Sequence, residues 1–261
     1  MAPEPAPARD DLLTAVLASP AAVAAKDRAG WLALFTPEAV VADPVGSRPH
    51  VGLDAIGRFH DTFIAPNTIT FEPEADIVAG RTVLRDLAIT IRMSTGATVL
   101  VPMHLRYDLV WHEDAWRIAQ LAAHWEFTPM VLRLLGTGPR GLGAGTLLGG
   151  QLLTHLGPGG ALGMLGAVRG VGSRGRRSAE RALRAAADGD AAALAGVATE
   201  LPTGRVRPTE FAAYLRGATI GDKVLAAGRT VTASVRLGDR PAVAIAEFPG
   251  RRLATLRLIA E

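Results

Sequence analysis

Apolar positions near the start of the chain recur at helical spacing, with Val23, Trp31 and Leu34 falling on one face together with Asp27. The pattern predicts two helices, Asp10 to about Leu17 and Ala21 to Phe35. They are broken at Ser19-Pro20, because Pro20 cannot donate the helical hydrogen bond. A further helix at about Leu53–Phe63 would place Ile56, Phe59, His60 and Phe63 along one face. Extended runs are expected next at Thr68–Val78, Arg81–Met93, Thr98–His112 and Trp116–Phe127, with turns at Ser94-Thr95-Gly96 and Glu113-Asp114. In the third run Val101, Met103, Leu105, Tyr107, Leu109 and Trp111 alternate with Pro102, His104, Arg106, Asp108, Val110 and His112. A strand sends these two sets to opposite faces. The first set reads as a cavity lining, whereas His104, Arg106 and Asp108 suit an outer or partner-facing side. Helices followed by a strongly curved antiparallel sheet describe an α+β cone.

The pattern then breaks. Gly141–Val168 contains no Asp, Glu, Lys or Arg, and ten of its 28 residues are glycine, with Pro158 in the middle. Glycine adds little transfer energy and weakens helices, so a membrane-spanning helix is poorly specified. A linker packed over the cone, or a short hairpin at a membrane surface beside Arg169 and Arg174–Arg177, fits better. Beyond it the order of helices then sheet returns. Helices are expected near Ser178–Ala187, after Asp190 and near Thr209–Arg216, and strands at Lys223–Ala227, Thr230–Leu237, Ala242–Phe248 and Leu253–Ile259. Ala79-Gly80-Arg81-Thr82-Val83 recurs as Ala227-Gly228-Arg229-Thr230-Val231, which suggests a shortened internal repeat. The chain therefore divides into residues 1–135, a Gly/Leu-rich connection at 136–177, and a repeat at 178–261.

Composition narrows the function classes. The 261 residues are 49% apolar, enough for two modest cores, and the net charge of +3 from 28 basic and 25 acidic residues is no nucleic-acid footprint. The absence of cysteine excludes disulfides, thiolate metal sites and a thiol nucleophile. The six histidines show no HExxH-like spacing and no metal cluster, so no metal and no cofactor is expected. Gly-rich stretches lack the context of a phosphate loop, and no Gly-x-Ser-x-Gly elbow is present. The first residues have an early acid, prolines and no apolar core of a secretory signal, so a cytoplasmic location is expected, with weak peripheral membrane contact at most.

Asp43 is the main candidate for chemistry. It follows the apolar run Ala39-Val40-Val41 and precedes the turn Pro44-Val45-Gly46, where a carboxylate can be fixed inside an apolar pocket, as a proton-abstracting base requires. The bland alternative is a turn-capping aspartate. The succession Asp27, Trp31-Leu32, Leu34-Phe35, Asp43-Pro44, Gly52 and Ala55-Ile56-Phe59 resembles the ketosteroid isomerase and SnoaL-like branch of the NTF2-like superfamily over residues of about 12–127. The resemblance implies that Asp43 shuttles a proton in an enone or dienol, a case the family exemplifies with an Asp base facing donors to the enolate oxygen.

The family's catalytic tyrosine falls at Ser19, whose hydroxyl is short for that role. Its second donor falls at Tyr107, or at Asp108 when counted back from Trp125; Tyr107 is preferred because its face is apolar. Phe59, Leu121 and Trp125 would form apolar walls, and His60 occupies a position from which the family contributes polar aromatics, although a half-buried structural histidine is the slightly preferred reading. The expected function is double-bond migration in a hydrophobic polycyclic ketone. The alternatives are a non-catalytic steroid or lipid carrier and a SnoaL-like cyclase or epoxide hydrolase. The partner is then an apolar small molecule, and the repeat would act as an internal pseudo-dimer or leave a homodimer face. The position equivalent to Asp43 in the repeat is placed in Gly204-Arg205-Val206-Arg207-Pro208, without an acid.

Overall fold

The computed structural model describes residues 5–141, 143 and 170–261. Its first half opens with α1 (Arg9–Ala25) and the short α2 (Arg28–Leu32), then β1 (Phe35–Ala42) and β2 (His50–Val51). α3 (Leu53–Phe59) runs on into a π-helical turn at His60–Ile64. Four long strands follow, β3 (Thr68–Ala79), β4 (Thr82–Arg92), β5 (Thr98–His112) and β6 (Ala115–His124), before α4 (Phe127–Leu135). The six strands make one sheet in the order β2-β1-β6-β5-β4-β3, antiparallel except where β1 runs parallel to β6.

Pro20 does not end the first helix, contrary to the sequence expectation. α1 is continuous through it, and the helical run stops instead at Lys26, in the left-handed region with φ 56°. The helix expected to reach Phe35 ends at Leu32, because Phe35 already pairs with Ile118 in the sheet. A single lost backbone bond is tolerated since the apolar face of α1, carrying Leu12, Val16 and Val23, is fully engaged with the core. Asp27 starts α2 by accepting from the Gly30 amide at 2.8 Å.

Register shifts between Pro73 and Ala75 in the β3–β4 pair, and between Asp108 and Leu109 in the β5–β6 pair, bend the sheet. Its concave face closes over α1, α2 and α3 to form the main core, which holds Trp31, Phe59, Val101, Met103, Leu105, Tyr107 and Leu109. The alternation read along β5 is thus the inside–outside pattern of a cone.

The second half comprises α5 (Gly172–Ala187), a 3-10 turn at Ala192–Leu194, β7 (Ala198–Leu201), β8 (Gly204–Val206), α6 (Pro208–Leu215), β9 (Thr219–Ala227), β10 (Thr230–Leu237), β11 (Arg240–Glu247) and β12 (Thr255–Ala260). Its sheet order is β8-β7-β12-β11-β10-β9, with β7 parallel to β12. This is the first sheet's order strand for strand. The fold is an NTF2-like cone of mixed α+β type with a second sheet of the same topology. The repeated Ala-Gly-Arg-Thr-Val segments occupy matching hairpins, and Gly80 and Gly228 both have left-handed φ angles, 59° and 54°. α5 begins at Gly172, within the stretch read from sequence as connection, because its apolar face packs on β9 and β10. Aligned through the matching hairpins, the pairing of Leu256 with Thr199 parallels that of Leu121 with Val41, so the residue matching Asp43 is Leu201, not one in the Gly204–Pro208 stretch.

The convex face of the first sheet is covered by the second. Ile77 and Leu84 pack with Val243, Ile245 and Ile259. A polar cluster lies beside them, where Lys223 Nζ donates to Asp86 Oδ1 at 2.6 Å and Ser234 Oγ donates to Asp86 Oδ2 at 2.6 Å. The His104 ring, fully buried, lies 2.8 Å from Thr232 Oγ1 and 3.0 Å from Ser234 Oγ. Desolvation alone would raise the Asp86 pKa, but the bonds from His104, Lys223 and Ser234 outweigh it and hold the carboxyl well below its ordinary value. His104, from the outward set on β5, therefore faces the chain's own repeat. Nearly all of Gly141–Val168 lies outside the described residues. Among the described residues no helix is long and apolar enough to cross a membrane.

Candidate active site

Asp43 leaves the end of β1 through a cis bond to Pro44, and the following turn is pinned by Val45 N donating to Ala123 O at 2.9 Å and by Ser47 N donating to Pro44 O at 3.0 Å. β1 is parallel to β6, so this loop emerges beside the far end of β6, where Trp125 follows His124. The Trp125 indole Nε1 donates to Asp43 Oδ1 at 2.6 Å. Asp43, read from sequence as the base, and Trp125, read as an apolar wall, are thus one hydrogen-bonded pair.

The pair opens on a cavity of about 130 Å³. Its remaining wall is largely apolar: Phe59, Phe63 and Ile64 from the helical layer, Ile69, Ile89, Ile91, Val101 and Met103 from the sheet, and Phe127 and Met130 from α4, with Pro44 and the polar Asn67 also lining it. Burial in this wall pushes the Asp43 pKa up to about 6, against a smaller opposing effect of the Trp125 hydrogen bond. A carboxylate with that value is largely ionised at neutral pH yet poorly solvated, the condition for a general base. The volume is below the roughly 300–1,000 Å³ of drug-sized ligand pockets. It compares with the ~150 Å³ cavity that accepts benzene. One ring fits inside.

The other residues singled out from sequence are divided by the structure. Phe59 lines the cavity with Asp43 and Trp125. Ser19, Tyr107, Leu121 and His60 do not line it. Ser19 Oγ accepts from Trp31 Nε1 at 3.0 Å, and Ser19 is close enough to the Tyr107 hydroxyl to act on its pKa. Tyr107 is 1% exposed, and burial pushes its pKa up to about 12, with Arg85 and Ser19 acting in the opposite sense. Leu121 pairs with Tyr107 across β5 and β6, deep in the core. His60 is buried with its ring 5.3 Å from Trp31; burial lowers its pKa, and the neighbouring Asp61 carboxylate partly offsets this. Asp108, the alternative donor, bonds Thr82 and Arg106 on the outer face, away from Asp43.

Sequence reasoning missed Asn67 and Arg85. Asn67 follows the π-helical turn, which adds a residue to the helix and which no periodicity signals. Arg85 is 3% exposed on the inner face, its Nε donating to Asp76 Oδ1 at 2.7 Å. The alternation in β4 would have placed it inward with Val83 and Leu87. No group of three or more metal-ligating side chains occurs among the described residues.

Residues 16–128 match the family model described as the SnoaL-like domain. This segment is a SnoaL-like domain of the NTF2-like fold. Among solved structures the chain is similar to the Delta 5-3-ketosteroid isomerase from Mycobacterium sp., at 27% identity over 45% of this chain and 95% of that one, with a TM-score of 0.42. A Mycobacterium tuberculosis protein in complex with estradiol-17beta-hemisuccinate matches at 27% identity, with the same coverage and TM-score. The epoxide hydrolase/cyclase-like enzyme SalBIII, from pyran ring formation in the polyether salinomycin, is 20% identical over 46% of this chain and 93% of that one, with a TM-score of 0.41. No curated protein matches the chain. The SnoaL-like domain accounts for the cone and for the cavity holding Asp43, Trp125 and Asn67; the second sheet lies beyond it.

Proposed function

We propose that the SnoaL-like domain abstracts a proton alpha to the carbonyl of an apolar ketone and returns it elsewhere on the conjugated system, moving a double bond. The observation that carries this reading is a lone carboxylate in an otherwise apolar cavity, its pKa raised to about 6 and its position held by an indole N–H. Asp43 takes the proton; Trp125, Phe59 and Phe127 hold the ring. The cavity's size supports a substrate of which one ring enters, the remainder of any polycyclic molecule resting outside it. The reaction as written needs no cofactor. The second sheet, whose position matching Asp43 is Leu201, serves as cover and support. In this reading the chain is organised as residues 1–135, a connection that ends before α5 at Gly172, and a repeat to 261.

The test is Asp43→Asn. It should keep the fold and apolar-ligand binding while lowering alpha-proton exchange by roughly 10²–10⁴-fold. Wild-type exchange in a well-folded Asp43→Asn protein would end the enzymatic reading.

A second reading is a carrier that binds an apolar ligand without turnover. It is favoured by the placement of Ser19 and Tyr107, neither of which lines the cavity. Wild-type protein that binds a cyclic enone tightly but exchanges none of its alpha protons would establish it.

A further inference from the structure

Proton removal alpha to a ketone leaves an enolate, whose oxygen must meet a fixed donor. Ser19 and Tyr107 are outside the cavity wall, and the Trp125 N–H is already directed at Asp43. Asp43 itself, when ionised, only accepts. Among the described lining residues, one other side chain carries a hydrogen-bonding amide or hydroxyl, and that is Asn67. Its Nδ2 donates to Phe63 O at 2.8 Å, which uses one of the two amide hydrogens and orients the group. Lys26 Nζ donates to the backbone carbonyls of Ala65 and Asn67, tying this loop to the end of α1. The amide is therefore held from both its side chain and its backbone.

We infer that Asn67 is a catalytic residue whose free amide N–H donates to the carbonyl oxygen of the substrate, and that the cavity accepts a one-ring enone or the leading ring of a larger one. The inference rests on Asp43 being the base. In the step, Asp43 Oδ removes the alpha proton, the C–H electron pair becomes the new C=C bond, and the carbonyl π pair moves onto oxygen, where it receives the Asn67 hydrogen bond. The dienolate then collapses: its oxygen regains the carbonyl, and the gamma carbon takes the proton back from Asp43. No oxidant, reductant or second substrate enters. A neutral amide suits this role, since it stays a donor at any pH at which Asp43 is ionised and adds no buried charge.

The inference is tested on the full chain with two single-ring probes, 4-nitrophenolate as the enolate mimic and 4-nitrotoluene as its uncharged counterpart, and with deuterium exchange into cyclohex-3-enone. Asn67→Leu and the near-isosteric Asn67→Asp should each lower 4-nitrophenolate affinity by roughly 10–100-fold, the range for a hydrogen bond to a charged group. Affinity for 4-nitrotoluene should stay within about twofold, and exchange should fall by about 10²–10³-fold. Equal losses for both probes would show that Asn67 only shapes the loop, and unchanged phenolate binding or exchange would equally overturn the inference. Asp43→Asn separates the two readings. If it abolishes exchange while the Asn67 variants retain it, the base stands and the Asn67 donor falls; if exchange survives it, the base falls and the inference with it.

Discussion

At the residue scale, the molecule's most consequential property is the cost of holding Asp43 ionised. Its folded pKa is about 6 against an ordinary 3.8. Below about pH 4 the carboxyl is neutral in folded and unfolded chains alike, and its contribution to stability is intact. As pH rises through 6 the folded state must retain a desolvated carboxylate that the unfolded chain would hydrate, so stability falls across that window. At ~1.4 kcal/mol per pKa unit the loss is at most about 3 kcal/mol. Asp43→Asn should therefore be more stable than the parent at pH 8 and equal to it near pH 4 in chemical denaturation. The same gain at both pH values would show that charge desolvation is not its source. Trp125→Phe removes the one contact that opposes this shift. The acid limb of the exchange rate against pH should then move upward from about 6, together with a lower maximum; an unmoved limb would disconnect the indole from the base.

At the scale of elements, the joint between α1 and α2 decides how Ser19 is used. α2 delivers Trp31, 2% exposed, against α1, and the indole donates to Ser19 Oγ. The position at which the resemblance implied a catalytic hydroxyl is here a fastener between two helices. Ser19→Ala leaves the Trp31 N–H buried without its acceptor and should cost about 1–3 kcal/mol. Denaturant midpoints measure that loss, and alpha-proton exchange by the folded fraction should remain within a few-fold of wild type. A large drop in exchange at unchanged stability would return Ser19 to the chemistry. The π-helical turn after α3 is the second decisive element, because the chain leaves it with Ile64 and Asn67 placed along the cavity wall.

At the scale of the whole molecule, the repeat supports the site as well as covering the first sheet. Its β9–β10 turn presses on the Asp43 loop so closely that a Cβ on Gly228 would lie 2.5 Å from Gly46 Cα. One strand away, Glu126, adjacent to Trp125, accepts from the Ala226 amide at 3.2 Å and pairs with Arg176 of α5. Both members of the Asp43–Trp125 pair are thus buttressed by a half that lacks an acid of its own. Gly228→Ala should strain a left-handed position and push the Gly46 backbone, destabilising the protein by roughly 1–3 kcal/mol. Its exchange rate per folded molecule should fall as well. Gly80→Ala, at the matching turn of the first half with open space around it, is the control that carries the φ penalty without the contact. Equal effects of the two on exchange would remove the repeat from the site.

The residues' own chemistry and spacing were enough for the outline. The period-2 alternation along β5, the Gly-containing turns and the helix-then-sheet order of each half are local signals, and they fixed an α+β cone followed by a second sheet of like order. The Asp43 signal was local too: a carboxylate between an apolar strand and a Pro/Gly turn. What spacing could not supply was decided by packing. Pro20 stays helical because the buried face of α1 outweighs one lost backbone bond. The residue matching Asp43 in the repeat is Leu201, because strand pairing sets equivalence and sequence offsets do not. Ser19 is taken up by the Trp31 indole and Tyr107 is buried in the core, so neither lines the cavity. Asn67 joins Asp43 only through a π-helical turn and a loop tied down by Lys26. Periodicity reports which face a residue occupies, whereas a cavity is made by groups from distant segments, and their meeting depends on bulges, parallel pairing and close backbone contacts that carry no signal along the chain.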